Sequence, residues 1–206
     1  MKHLFRRFIV MAVGLIIMGL GLAVFKISLM GNDPSTAMVM AIGDKVGIDF
    51  SIILIGMHAL CFMGELFFGR KYIGVGTFAN WFGVGSIASL WIDWLNAHFV
   101  VPEALAVRLL VMFVGVLILS LSASMYQTSD LGIAPYDSVS ILMSKKLPIP
   151  YFWCRIITDS VCALTAFLCG GLIGLGTLTC AVGLGPFIAF FNRFVSEKLC
   201  GVNRSA

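Results

Sequence analysis

His58 and Asp159 are the ionisable residues that fall deepest inside the long apolar runs of this 206-residue sequence. Each lies about eight residues, or roughly 12 Å at 1.5 Å per residue, into its run. A short ionisable side chain at that depth of a membrane cannot reach water, so it marks a functional site by default. Because a histidine titrates near neutral pH, a His–Asp pair could bind and release a proton. The two are expected to meet at the membrane midplane and form the ionisable centre. Asp33 and Asp137 open two short polar segments beside Pro34 and Pro135, where a helix N-terminus favours negative charge. Arg155 stands near the start of its run, from which its long side chain can snorkel outward. Glu65, near Arg70 and Lys71, is expected at the membrane surface, as is Asp93, whose neighbours Trp91 and Trp94 suit an aromatic belt. Thr77, Thr177 and Asn80 could line a polar path, although close helix packing is the simpler use of their glycine-rich surroundings. The sequence contains no metal-ligand spacing, phosphate loop, Ser/His/Asp arrangement or paired-carboxylate motif. No catalytic residues, cofactor or metal are therefore expected, and the chain is not read as an enzyme.

The elements that must position these residues follow from composition. The sequence is 60% hydrophobic and 12% charged, with 22 glycines, whereas an ordinary soluble domain is about 25% charged. Its apolar runs do not alternate as barrel strands would, which leaves a helical membrane protein. Six runs, at roughly 8–29, 50–68, 73–95, 107–127, 151–170 and 173–195, can each cross about 30 Å of hydrocarbon. Of the six cysteines, Cys61, Cys154, Cys162, Cys169 and Cys180 lie within apolar runs and no CxxC occurs, so they read as small hydrophobes. A net charge of +4 is too small and too scattered for a nucleic-acid partner. The basic residues nevertheless sort by loop. Lys2, Arg6, Arg7, Arg70, Lys71, Lys145, Lys146, Arg193, Lys198 and Arg204 fall on one side of a six-span chain; Lys26, Lys45 and Arg108 fall on the other. The positive-inside rule then places both termini in the cytoplasm of a multi-pass plasma-membrane (inner-membrane) protein.

An internal repeat runs through this pattern. IGVGTFANWFGVGSI at 73–87 realigns on IGLGTLTCAVGLGPF at 173–187, and Arg7, Gly14, Gly31 and Pro34 realign on Arg108, Gly115, Gly132 and Pro135. His58 and Asp159 occupy equivalent positions of the two copies. A repeat of three spans enters the membrane from opposite sides in its two copies, so the repeats are inverted. The expectation is an all-α polytopic protein with a single membrane domain over 1–206, repeat one at about 6–98 and repeat two at about 104–198, the arrangement of many secondary transporters.

The paired elements LGIAPYD at 131–137 and IGxGT at Ile73–Thr77 and Ile173–Thr177 resemble those of the YczE-like bacterial integral membrane proteins, related by motif to the YitT type. That resemblance implies a six-helix plasma-membrane protein of poorly defined function and supplies no catalytic residues. The first copy, MGNDPST, departs from it by placing Thr36 where the second has Asp137.

Within each repeat a short helix lies between the first two spans. Asp33 caps the first, Pro34 occupies its first turn, and Gly43 or Gly47 ends it; Pro135 opens the second, and Pro148 with Pro150 forbids its continuation. As re-entrant half-helices these segments would point their N-termini at a substrate; as interfacial helices they would lie flat, with Lys145 and Lys146 on anionic headgroups. The leading functional reading is a small permease for a polar solute or ion, with His58, Asp159, Asp33, Asp137, Arg155, Asn80, Thr77 and Thr177 as substrate-contacting candidates. The alternative is a non-transporting binding or accessory subunit that captures substrate for a partner, docked, like a homodimer would be, through the glycine-rich helix faces.

Overall fold

The computed structural model describes residues 2–48, 50–99, 103–171 and 173–201. Arg204 and the side chain of Lys2, counted above among the basic residues, lie outside them. Helices α1 (Lys2–Ile27), α2 (Pro34–Val46), α3 (Phe50–Phe68) and α4 (Val75–His98) are followed by α5 (Leu105–Thr128), α6 (Pro135–Lys146), α7 (Tyr151–Leu168), α8 (Leu175–Phe191) and the short α9 (Glu197–Cys200). Among the described residues there is no strand, and the chain is an all-α polytopic membrane protein. Five stretches are long and apolar enough to cross a membrane: Leu4–Ile27, Val75–His98, Leu105–Thr128, Tyr151–Leu168 and Leu175–Cys200. The last runs through a π-helical turn at Asn192–Ser196, pinned to α5 by the Thr128–Asn192 and Ser124–Ser196 hydrogen bonds. The remaining expected span, α3, is a shorter apolar helix over Ile52–Phe68.

Local chemistry sets the ends of the short helices. Asp33 Oδ2 accepts from Thr36 N at 3.1 Å, Pro34 fills the first turn, and Gly47, at φ +72°, closes α2 in the left-handed conformation. Pro135 opens α6, and Leu147 ends it before Pro148.

Helices α1 and α5 cross at the centre. Glycine permits that approach: a Cβ on Gly115 would lie 3.0 Å from the Phe25 backbone, and one on Gly14 would lie 3.2 Å from Tyr126 N. Met11, Leu15, Phe25, Val116, Leu119 and Tyr126 fill the core around the crossing. Helix α4 then packs on α1 and α8 on α5, while α2 packs on α7 and α6 on α3. The short helix of each sequence repeat thus rests on the second long helix of the other.

Contacts recur in pairs at the spacing of the sequence repeat. Gly76 N donates to Leu131 O and Gly176 N to Met30 O, both at 2.8 Å. Leu29 and Asp130 have φ of +53° and +58°, and Gly31 and Gly132 have φ of +119° and +118°. Of the repeated glycines, Gly76 and Gly176 sit against backbone carbonyls of the opposite repeat, but a Cβ on Gly83 would meet nothing within 4 Å. Only the first glycine of the expected face is therefore used for packing within the described chain.

One pair of contacts is not matched. Helix α7 lies directly on α8, and Ala163 and Ala181 on these helices are both buried. Their counterparts in the first repeat are Phe62 and Trp81, whose rings meet at 5.5 Å and hold α3 away from α4. Phe62 also touches Phe78, and Trp81 stands edge-on to His58. The first repeat is splayed where the second is closed.

Basic residues gather at one end of the bundle, where Arg6 donates to Lys198 O, Arg7 stands 3.9 Å from Asp130, and Lys146 lies over the Phe68 ring. At the other end Lys45 Nζ reaches Leu168 O at 3.5 Å.

Candidate functional site

The site is built around Arg155 on α7. Its Nη1 donates to Asp137 Oδ1, and its Nε donates to Asp159 Oδ2 at 3.1 Å. Asp159, one turn further along α7, also accepts at Oδ1 from Tyr136 Oη at 2.6 Å. The Arg155 guanidinium stacks 5.1 Å from the centre of the Tyr136 ring, and Ser140 pairs with Thr158 beside it. All three charged residues are buried, Arg155 being only 7% exposed and Asp159 0%.

One guanidinium faces two carboxylates, so a further source of positive potential is needed to hold both. The free N–H groups at the start of α6 supply it, because Asp137 lies in the first helical turn. A planar fork suits the task, since Arg155 can address two carboxylates through different nitrogens, which a lysine ammonium on a flexible stem cannot reproduce.

The depth of the cluster follows from what α6 touches along its length. Its first turn meets Asp159 and Cys162 in the middle of α7, whereas Lys146 at its end meets Phe68 at the end of α3. Helix α6 therefore runs outward from the interior with its N-terminus innermost. Helix α2 runs likewise from Asp33 to Lys45, which reaches the end of α7. Two helix N-termini, each carrying an acid, thus start in the interior of the bundle.

The structure rearranges several expectations. His58 and Asp159 do not pair: Asp159 is taken by Arg155 on its own helix face and by Tyr136, while His58 packs against Trp81 and its Nδ1 has no hydrogen-bond partner. Arg155 does not snorkel, because two carboxylates hold it inside. Glu65 does not reach the surface; it is 0% exposed and no described group donates to either carboxylate oxygen. The Thr77 hydroxyl accepts from Gly74 N and donates to Tyr72 O, and that of Thr177 donates to Asn32 O, so both secure turns rather than line a path. Asn80 is buried, its amide against Met18 Sδ. Asp93 is exposed beside the Trp91–Trp94 ring pair.

Sequence reasoning missed three groups here. Tyr136 was legible, since it sits between the Pro135 and Asp137 already singled out. Tyr126 carries a buried hydroxyl without a hydrogen-bond partner among the described residues, and the buried Tyr151 hydroxyl faces Gln127. Nothing in their local sequence separates them from aromatic residues that serve only packing.

Residues 5–193 match the model of a family of unknown function, DUF6198. The chain belongs to that family. It is 24% identical over 183 residues to an uncharacterized protein of Haemophilus influenzae, covering 88% of this chain and 81% of the relative. It is 25% identical over 180 residues to the uncharacterized membrane protein YczE of Bacillus subtilis, covering 86% and 81%. No solved structure matches. The resemblance carried by LGIAPYD and the paired IGxGT elements is thus borne out, and with it a membrane location for this family member.

Within the family chain, the Arg155 cluster belongs to the second repeat alone. The first has Leu54, Thr36, His58 and Ser35 where the second has Arg155, Asp137, Asp159 and Tyr136.

Proposed function

We propose that this protein is a small permease that moves a polar solute or ion between two inverted three-span repeats in the plasma membrane, with both termini cytoplasmic and no chemistry performed on the solute. The observation that carries this reading is the buried Arg155–Asp137–Asp159–Tyr136 cluster at the inner end of α6. A charged cluster is costly to bury and a fold can do without one, as the first repeat does with Leu54 and Thr36. Its position at a half-helix N-terminus, faced by the Asp33 end of α2, suits a solute site near the midplane between repeats. On this reading α2 and α6 are re-entrant. The splayed α3–α4 pair is the half that moves, and the close-packed α7–α8 pair is the half that holds the cluster.

Two measurements test it. Purified protein in liposomes should take up a solute that also stabilises it in a melting screen, where ligand at 100 times its dissociation constant adds about 2.7 kcal/mol. Stabilisation without uptake by the isolated protein would instead identify a capture subunit that needs a partner. Cysteine labels at Tyr72 and Gly170 should read from opposite sides of the membrane, because three spans separate them; labelling from one side would remove the inverted arrangement.

A further inference from the structure

Glu65 is the largest anomaly left by the site described above. It lies in the last turn of α3, where its carbonyl accepts from Gly69 N at 2.7 Å. Its side chain is fully buried, yet among the described residues neither carboxylate oxygen has a donor. An ionised carboxylate without a partner is not tolerated in a low-dielectric interior, where the group neutralises instead. The positive charges on neighbouring elements do not supply that partner. Arg70 is turned to Leu66 O, Lys71 to the Tyr72 ring and Lys146 to the Phe68 ring. Lys145, like Lys45 on α2, makes no ion pair with Glu65, and Asp44 on α2 is exposed. On the inner side Cys61 stands one turn back along the same helix. His58 lies two turns back along α3. The Tyr126 hydroxyl on α5 is another buried polar group without a hydrogen-bond partner among the described residues.

The fold does not require an acid here. At the equivalent position the second repeat has Ala166, fully buried against Ala37 and Ala41 of α2.

We propose that Glu65 is a proton-binding site, neutral in the packed arrangement and ionised when α3 swings from α6, through which one proton crosses the protein as the coupling ion of solute movement. The carboxyl releases a proton to become a carboxylate and regains it from the other side; nothing else is made or broken. A sodium ion is a poorer fit, because a hard cation needs several oxygen ligands and among the described residues no cluster of cation-binding side chains includes Glu65. The coupling role rests on the transport reading above, whereas the protonation does not.

Infrared difference spectra of wild type against Glu65→Gln in lipid vesicles test the protonation. The carbonyl stretch of a neutral carboxylic acid should be present in wild type, absent in the variant, lost as pH rises, and the same in sodium and potassium buffers. Identical spectra at every pH, or a band removed by sodium at constant pH, would overturn the proposal. If Glu65→Gln does not fold, Glu65→Asp serves: a displaced band that still titrates supports the assignment, and an undisplaced one overturns it. In liposomes holding a trapped pH dye, a pH step should collapse several-fold faster with wild type than with Glu65→Gln; equal rates overturn the carrier role. The infrared band present without solute uptake under any condition would sink the transport reading alone.

Discussion

Replacing Arg155 by methionine is expected to destabilise the protein by about 3–5 kcal/mol, the cost of leaving buried charges without their counter-charge. The size follows from the geometry. Asp137 and Asp159 are both buried and both bonded to the same guanidinium, so one substitution orphans two carboxylates. Each must then either take up a proton or draw water into the bundle. Arg155→Lys should fall between wild type and Arg155→Met, because a single ammonium can serve one carboxylate well but not both. Adding Asp159→Asn to Arg155→Met should restore part of the loss, since a neutral amide has no charge to compensate. Thermal or denaturant unfolding in a lipid-like detergent reads these four proteins and Asp159→Asn alone, which completes the cycle. Additivity of the two substitutions within about 0.5 kcal/mol would show that the residues are energetically independent, contrary to the contacts described.

That cluster also marks the boundary of what the sequence discloses. The helices, their order and the cap and stop residues of α2 and α6 follow from local rules: apolar length, Asp33 and Pro34 at one end, Gly47 at the other. The repeat was legible because its glycines and prolines are dictated by backbone geometry, which tolerates no other residue type at a φ near +118° or against a facing carbonyl. Side-chain partnership was not. Equivalent depth in two copies suggested that His58 would meet Asp159, but depth says nothing about rotation of a helix about its axis. A competing arginine one turn away on the same face of α7 is a nearer partner than a histidine on another helix. The same blindness to rotation sent Glu65 to the surface on paper and to the interior in the fold. Asymmetry between copies was readable in principle, since Phe62 and Trp81 replace Ala163 and Ala181, and bulky rings on facing helices must hold them apart. It became informative only once the fold showed that these positions face one another.

Replacing Gly174 by alanine is expected to cost about as much as losing Arg155, and for a different physical reason. The conformation of Gly174, with φ −96°, is open to any residue; space is the constraint. A Cβ there would stand 1.9 Å from Met30 O and 2.6 Å from Met30 C, and both are backbone atoms that cannot rotate aside. The 28–32 turn would have to withdraw, breaking the Gly176 N–Met30 O bond and pulling Asn32 O from the Thr177 hydroxyl. Overpacking costs about 1–3 kcal/mol, and a buried backbone group left unpaired about 1–3 kcal/mol more, so a loss of about 2–6 kcal/mol is expected. Gly74→Ala should behave alike, because its Cβ would stand 2.2 Å from Leu131 O beside the Gly76 N–Leu131 O bond. Gly83→Ala is the control within the same repeated motif: its Cβ would meet nothing, so the substitution should be neutral or stabilise α4 by up to about 1 kcal/mol. Unfolding midpoints of the three variants rank the sites. If Gly174→Ala and Gly74→Ala unfold with Gly83→Ala, the turns do not dock on the IGxGT elements. A loss confined to one of the first two would mean that a single junction, rather than the matched pair, holds the repeats together.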